Sequence, residues 1–255
     1  MQKIPVIPAI KHALNAVFHF RETGIRIGLP WIILLAALST VELLFFGSAD
    51  FSNDASAQDL NVRPTDFILA AVGLIALSSI AVNWHRYILL DEHTPPEKIF
   101  RLDAPVWKYA AHSILIMLIA LVPVIIISFL VALATPNAIA LLAFPLFMAG
   151  IYIMRMSVAL PATALERNDF GIRAALQATA GNNLQFAGLL ALNALIMLGT
   201  FLALAVALTI AGNISITVVK VCAVLLSIPA NLFFSLFSIS LLSSLYGYFA
   251  EGRKF

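Results

Sequence analysis

Charge is what this 255-residue sequence has least of, since only 11% of its residues are Asp, Glu, Lys or Arg and 62% are apolar. A soluble domain carries about 25% charged residues. A chain this apolar has too little polar surface to coat a water-exposed core, so the bilayer is the solvent it fits. The net charge of +2 is too small to make a general basic surface, and no nucleic-acid partner is expected. Cysteine occurs once, at Cys222, which excludes an internal disulfide and a thiolate zinc site. Catalytic signatures are missing as well. The sequence has no phosphate-binding Walker loop, no dinucleotide glycine fingerprint, no HExxH and no Gly-x-Ser-x-Gly. His12 and His19 stand seven apart, whereas a helical metal pair wants a spacing of about three or four. No enzyme activity, metal or cofactor is expected on these grounds.

Long apolar runs are present in their place. A helix needs roughly 20 apolar residues to cross about 30 Å of hydrocarbon. Six stretches qualify: Gly24–Phe46, Phe67–Leu90, Val106–Ala134, Ala138–Leu160, Leu184–Ala211 and Ile216–Phe249. The first is too long and too far from Met1 for a signal peptide and reads as a retained span. A membrane β-barrel would show segments of about ten alternating residues, which these continuous runs are not. The expected fold is therefore an all-α membrane protein of six spans in one domain covering residues 1–255. Tight turns are expected at Thr135–Asn137 and at Ala211–Ser215.

Basic residues set the orientation. Thirteen lie in the N-terminal segment, in the second and fourth loop regions with the span edges beside them, and in the tail: Lys3, Lys11, Arg21, Arg26, Arg86, Lys98, Arg101, Lys108, Arg155, Arg167, Arg173, Arg253 and Lys254. Two, Arg63 and Lys220, fall on the other side. The basic side should be cytoplasmic, with both termini there. The loop from Gly47 to Asp66 should lie outside. Its Asp50, Asp54, Asp59 and Asp66 match no calcium-loop spacing and read as a solvated acidic segment.

Each pair of spans follows a short segment of helical character. From Ile7 to Phe20, the residues Ile7, Ile10, Leu14, Val17 and Phe18 share one face, the pattern of an interfacial helix. Thr94, Pro95, Pro96 and Glu97 read as a capping box opening a helix through Arg101. A third helix is expected from Gly171 to Ala180, capped by Asn168 or Asp169 and stopped at Gly181. Ile10–Ala16 and Ile172–Ala178 share the pattern Ile, basic, any residue, Ala, Leu, amide, Ala. A threefold helix-span-span repeat is the simplest description.

Three runs carry a family likeness: His-Arg-Tyr-Ile-Leu-Leu (His85–Leu90), Leu-Pro-Ala-Thr-Ala-Leu-Glu (Leu160–Glu166) and Ala-Leu-Gln-Ala-Thr-Ala-Gly-Asn (Ala175–Asn182). In these and in its layout the chain resembles uncharacterised bacterial six-span inner-membrane proteins. Those are similar to the membrane domain found with some glycerophosphodiester phosphodiesterases. The resemblance implies a six-helix membrane fold and transfers no catalytic residue. The sequence has no soluble phosphodiesterase domain.

Polar groups inside a membrane are costly and often functional. At about 1.5 Å per residue, Arg86 and Arg155 lie roughly 25–30 Å from the outer ends of their spans, at the basic boundary. Asn83, His85 and Asn231 fall at similar depth, and Lys108 and His112 enter from the same side. Together these seven are the candidate contacts for an anionic head group or solute, with Arg as a bidentate phosphate donor. The competing reading is that Arg86 and Arg155 snorkel to the interface and fix topology. Asn193, mid-span, is expected to hydrogen-bond a neighbouring helix. Glu42 sits near the outer end of its span, and no carboxylate occupies mid-depth as proton-coupled transport would want. Pro30, Pro123, Pro145 and Pro229 lie within spans, where kinks are the ordinary consequence. Ser240 with Ser244, and Ser243 with Gly247, form small-residue pairs at spacing four. They prepare close helix approach, either within the chain or in a dimer. The function expected is that of a non-enzymatic membrane protein acting through lipids or membrane partners, the latter including further copies of itself. A small-solute transporter or channel and an accessory subunit of a larger membrane complex are the alternatives.

Overall fold

The computed structural model describes residues 3–46, 63–134, 143–212 and 216–255. The order is α1 (Val6–His19), α2 (Arg21–Phe46), α3 (Pro64–Leu90), a 3-10 turn (Pro96–Lys98), α4 (Ala104–Ala134), α5 (Ala143–Ser157), α6 (Leu160–Ala164), α7 (Ile172–Ala178), α8 (Asn183–Gly212) and α9 (Ile216–Ala250). Most of the aspartate-bearing connector and the turns at Thr135–Asn137 and Asn213–Ser215 lie outside the described residues.

Among the described residues, six stretches are long and apolar enough to cross a membrane: Arg21–Glu42, Pro64–Leu90, Ala104–Val131, Ala143–Ala164, Asn183–Ile210 and Leu226–Ala250. They coincide with the six runs in the sequence, because hydrocarbon thickness fixes the length of continuous apolar helix. Helices α2, α4 and α9 run through Pro30, Pro123 and Pro229. The fourth stretch is different. Its helix ends at Ser157 and restarts as α6, with Pro161 near the start of the new helix. A proline removes one backbone donor and crowds the carbonyl four residues before it, which explains the break. The expected unbroken helix to Leu160 is corrected accordingly.

The last helix organises the packing. α9 lies against α1, α2, α3 and α8, and α4 against α3, α5 and α6. Gly24 and Gly28 let α2 approach closely: a Cβ on Gly24 would stand 2.6 Å from Leu236 Cδ1 and 3.3 Å from Trp84 Cζ3. Trp84, Phe186, Phe237, Leu245 and Tyr246 are fully buried around this helix. By contrast, only 6% of the α8 apolar stretch is buried, so lipid or a partner must cover it.

The short segments differ in detail from their sequence reading. α1 buries Ala9, Ile10, Ala13 and Val17, while Ile7 and Phe18 are exposed. The buried face is thus rotated toward the alanines, which allow close approach to α9. The capping box at Thr94 does not form, because Pro95 is the cap residue without a side-chain cap bond and only the single turn Pro96–Lys98 follows. α7 is capped by Gly171, not by Asn168 or Asp169, and ends at Ala178. Gly181 adopts φ 76°, in the region glycine favours, and turns the chain into α8.

Candidate functional site

The chain termini and the basic connecting segments assemble at one end of the bundle. Tyr248 near the end of α9 donates its hydroxyl to the Lys3 carbonyl at 2.9 Å, and the Ile4 amide donates to Asn182 Oδ1 at 3.1 Å. Arg86, near the end of α3, reaches the far end of α6. It donates to the Ala164 carbonyl at 3.2 Å and pairs with Glu92 at 2.7 Å and Glu166 at 3.4 Å. Asp91 and Glu166 both have positive φ, 55° and 58°, where each helix turns sharply to present this carboxylate pair. The Arg86 guanidinium hydrogen-bonded to Glu92 holds that carboxyl below its ordinary range.

Arg155, near the end of α5, is buried and fully engaged. Nε donates to Thr179 Oγ1 at 3.0 Å, Nη1 to Asn183 Oδ1 at 2.8 Å and Nη2 to the Leu176 carbonyl at 2.9 Å. Its guanidinium also lies 5.4 Å from the Tyr152 ring centroid. The two arginines therefore act as clamps between connecting segments, each spending its fork on protein acceptors.

A second layer runs along α9. Ser243 Oγ donates to the Ile239 carbonyl at 3.1 Å, so toward His85 Nδ1, 2.8 Å away, it is the acceptor. His85 thus carries its proton on Nδ1, and Nε2 accepts from Tyr109 Oη at 3.3 Å. Ser240 accepts from Trp84 Nε1 at 2.8 Å. Ser244 donates to the Ser240 carbonyl at 2.8 Å and accepts from His12 Nδ1 at 2.8 Å. The small-residue pairs are therefore internal packing in part: each serine receives a ring nitrogen from α1 or α3.

The seven candidate residues do not converge. Asn83 is buried, donates to the Lys98 carbonyl at 3.0 Å and faces Arg101, which itself pairs with Asp103 at 2.7 Å. Lys108 and His112 line a cleft of about 140 Å³ with Glu166 and Arg167, where His112 Nδ1 is 3.3 Å from Thr163 Oγ1. Asn231 lies elsewhere, in a side-opening groove of about 510 Å³ between α2, α3 and α9, with its amide bonded to the Ser227 carbonyl at 2.8 Å. Asn193 Oδ1 is buried and has no hydrogen-bond partner among the described residues, where a neighbouring helix is expected to supply one.

Sequence reasoning missed a further cavity of about 330 Å³ where α1, α3 and α9 meet. It is lined by His12, His19, Arg253 and Lys254, by Ser243 and Ser244, and by apolar Ile88 and Leu89. Its basic residues were visible only as topology markers.

Fold and site together define a multi-helix protein with the lengths and apolarity of a six-span membrane chain. No family model, no curated protein and no solved structure matches it.

Proposed function

We propose that the protein is a non-enzymatic, multi-pass component of a bacterial inner membrane, with both termini cytoplasmic, that works through membrane lipids. The single observation that carries this reading is the chemistry of the cavity between α1, α3 and α9. Basic and hydroxyl side chains form one part of its lining, and the apolar ends of α3 the other. That combination suits a head group with the start of its acyl chains. A second cleft of about 440 Å³, lined by Ile119, Val124, Phe144 and Met148 between α4 and α5, offers an almost wholly apolar wall for a chain. The basic excess at the same end fits the positive-inside pattern.

The threefold helix-span-span plan belongs to the same proposal. Ala13 and Ala175 occupy matching places in the two similar lead-ins, and both are fully buried. Lys11 and Arg173, also matched, are both exposed. α1 and α7 would then lie at the membrane boundary with their basic residues toward the head groups.

Native mass spectrometry from mild detergent tests the lipid reading. Phospholipid adducts that survive gentle activation, in preference to detergent, are the expected result. A spectrum of lipid-free protein with full structure would overturn it. The accessory-subunit alternative draws on the bare flank of α8, where Leu195, Leu198, Phe201 and Val206 are exposed. A protein partner in that spectrum would favour it.

A further inference from the structure

The cavity between α1, α3 and α9 is built by the folded-back end of the chain. α9 ends at Ala250, and Gly252 takes φ 66°, a conformation that reverses the direction of the backbone. The Arg253 amide then donates to the Gly247 carbonyl at 2.9 Å. Gly247 has no side chain to obstruct this. A Cβ there would lie 3.3 Å from Arg253 Cδ, so the arginine stem rests directly on the helix. Phe255 stacks on Tyr248 with centroids 5.0 Å apart and meets the His12 ring edge-on at 6.0 Å. The tail is thereby held against both α9 and α1.

This fold-back delivers cationic groups to the cavity mouth. Arg253 Nε pairs with Glu251 at 2.7 Å, and that carboxylate also binds Arg167. The two Nη groups of Arg253 have no protein acceptor among the described residues, and its side chain is half exposed. Lys254 is exposed and likewise has no carboxylate within ion-pair distance among the described residues. His12 donates Nδ1–H to Ser244, so its Nε2 donates to an anion only when the ring is protonated, and His19 lies exposed on the same wall.

We infer that this cavity binds the phosphate of an anionic phospholipid head group, with Arg253 and Lys254 as the principal contacts and His12 and His19 beside them. The Arg253 fork supplies paired donors to phosphate oxygens and Lys254 a mobile charge. The apolar wall of Ile88 and Leu89 receives the glycerol end of the lipid. The inference rests on the lipid reading above and gives it a site.

The test uses the full chain in nanodiscs and compares retention of phosphatidylglycerol against phosphatidylcholine, with inorganic phosphate as a separate titrant. The variants are Arg253→Gln with Lys254→Gln, His19→Gln, and, as a control away from the cavity, Lys98→Gln. Thermal midpoints report folding in every case. Wild-type protein should enrich phosphatidylglycerol, and the double variant should lose about tenfold in that preference without losing its fold. His19→Gln should lose less, and Lys98→Gln should match wild type. A wild type with no preference would sink the lipid reading itself. A double variant with undiminished preference would refute this site while leaving that reading standing. Tight binding of inorganic phosphate alone, abolished by the same substitutions, would assign the cavity to a soluble anion and overturn the lipid assignment. Should the double variant prove unstable, Lys254→Glu alone must lower the preference, and an unchanged value would count against the site.

Discussion

Ser244 and His12 are separated by 232 residues in the chain, yet Oγ and Nδ1 lie 2.8 Å apart. That contact ties the N-terminal helix to the last one and makes α1 part of the bundle. Ala9 and Ala13 are fully buried beside it. Ala13→Leu should therefore force α1 outward, at a cost of about 1–3 kcal/mol. Limited proteolysis should then cut the first 20 residues faster than in wild type. Ser244→Ala removes the acceptor for His12 and the donor to the Ser240 carbonyl, and should lower stability by about 1 kcal/mol. An Ala13→Leu protein with an unchanged cleavage rate would mean that α1 does not dock as described.

Arg155 offers a sharper test of the clamp. Three different acceptors on Leu176, Thr179 and Asn183 use its guanidinium. Arg155→Met should cost about 3 kcal/mol, because hydrogen bonds from a charged group are strong and Asn183 Oδ1 loses its donor. Arg155→Lys should recover part of this, since an ammonium keeps the charge but cannot span all three acceptors. Thermal unfolding in detergent measures both. Equal midpoints for wild type and Arg155→Met would show that the clamp contributes nothing.

Glu92 predicts an acid limb in stability. Its folded-state pKa is held down, chiefly by the hydrogen bond from Arg86 and also by nearby positive charge. The sign follows from linkage. The contribution is complete above the ordinary glutamate range and is lost as pH falls through the lower folded value. Glu92 is partly exposed, so solvent screening keeps the effect below about 1 kcal/mol. Glu92→Gln should lower the midpoint at pH 7 slightly and flatten its dependence on pH below 5. A variant whose acid limb matches that of wild type would remove the Arg86–Glu92 pair as its source.

Gly247 links the tail to α9. Gly247→Val should displace Arg253, because even a Cβ there is only 3.3 Å from the arginine stem. Helix content should persist by circular dichroism, while protease removal of residues after Ala250 accelerates several-fold. An unchanged rate would show that the tail reaches its place without lying on this glycine.

The spans were legible because apolar length is the one property that hydrocarbon thickness demands of a helix. Which face of a helix turns inward was not. In a membrane, large apolar residues such as Phe18 can face lipid while Ala9 and Ala13 face the bundle, so hydrophobicity alone does not point to the core. The break before α6 was signalled by Pro161, but the apolar run on either side masked it. Arg86 and Arg155 stand near the ends of α3 and α5, as their places in the apolar runs imply. Their acceptors come from segments far along the chain, and no spacing rule shows them. The serine and glycine pairs of α9 were visible as a pattern. What they receive is set by the position of α1, α3 and the returning tail, which only the assembled bundle reveals.

The most direct test of the central claim is a set of topology reporters on the full chain in a bacterial host. Alkaline phosphatase inserted between residues 47 and 62 should be active, and green fluorescent protein fused after Phe255 should fluoresce. Substituted cysteines at positions 93 and 168 should resist a membrane-impermeant thiol reagent in intact cells. A fluorescent reporter in the 47–62 segment, or labelling of positions 93 or 168 from outside, would contradict a chain that crosses six times with all its arginines and lysines but Arg63 and Lys220 facing the cytoplasm.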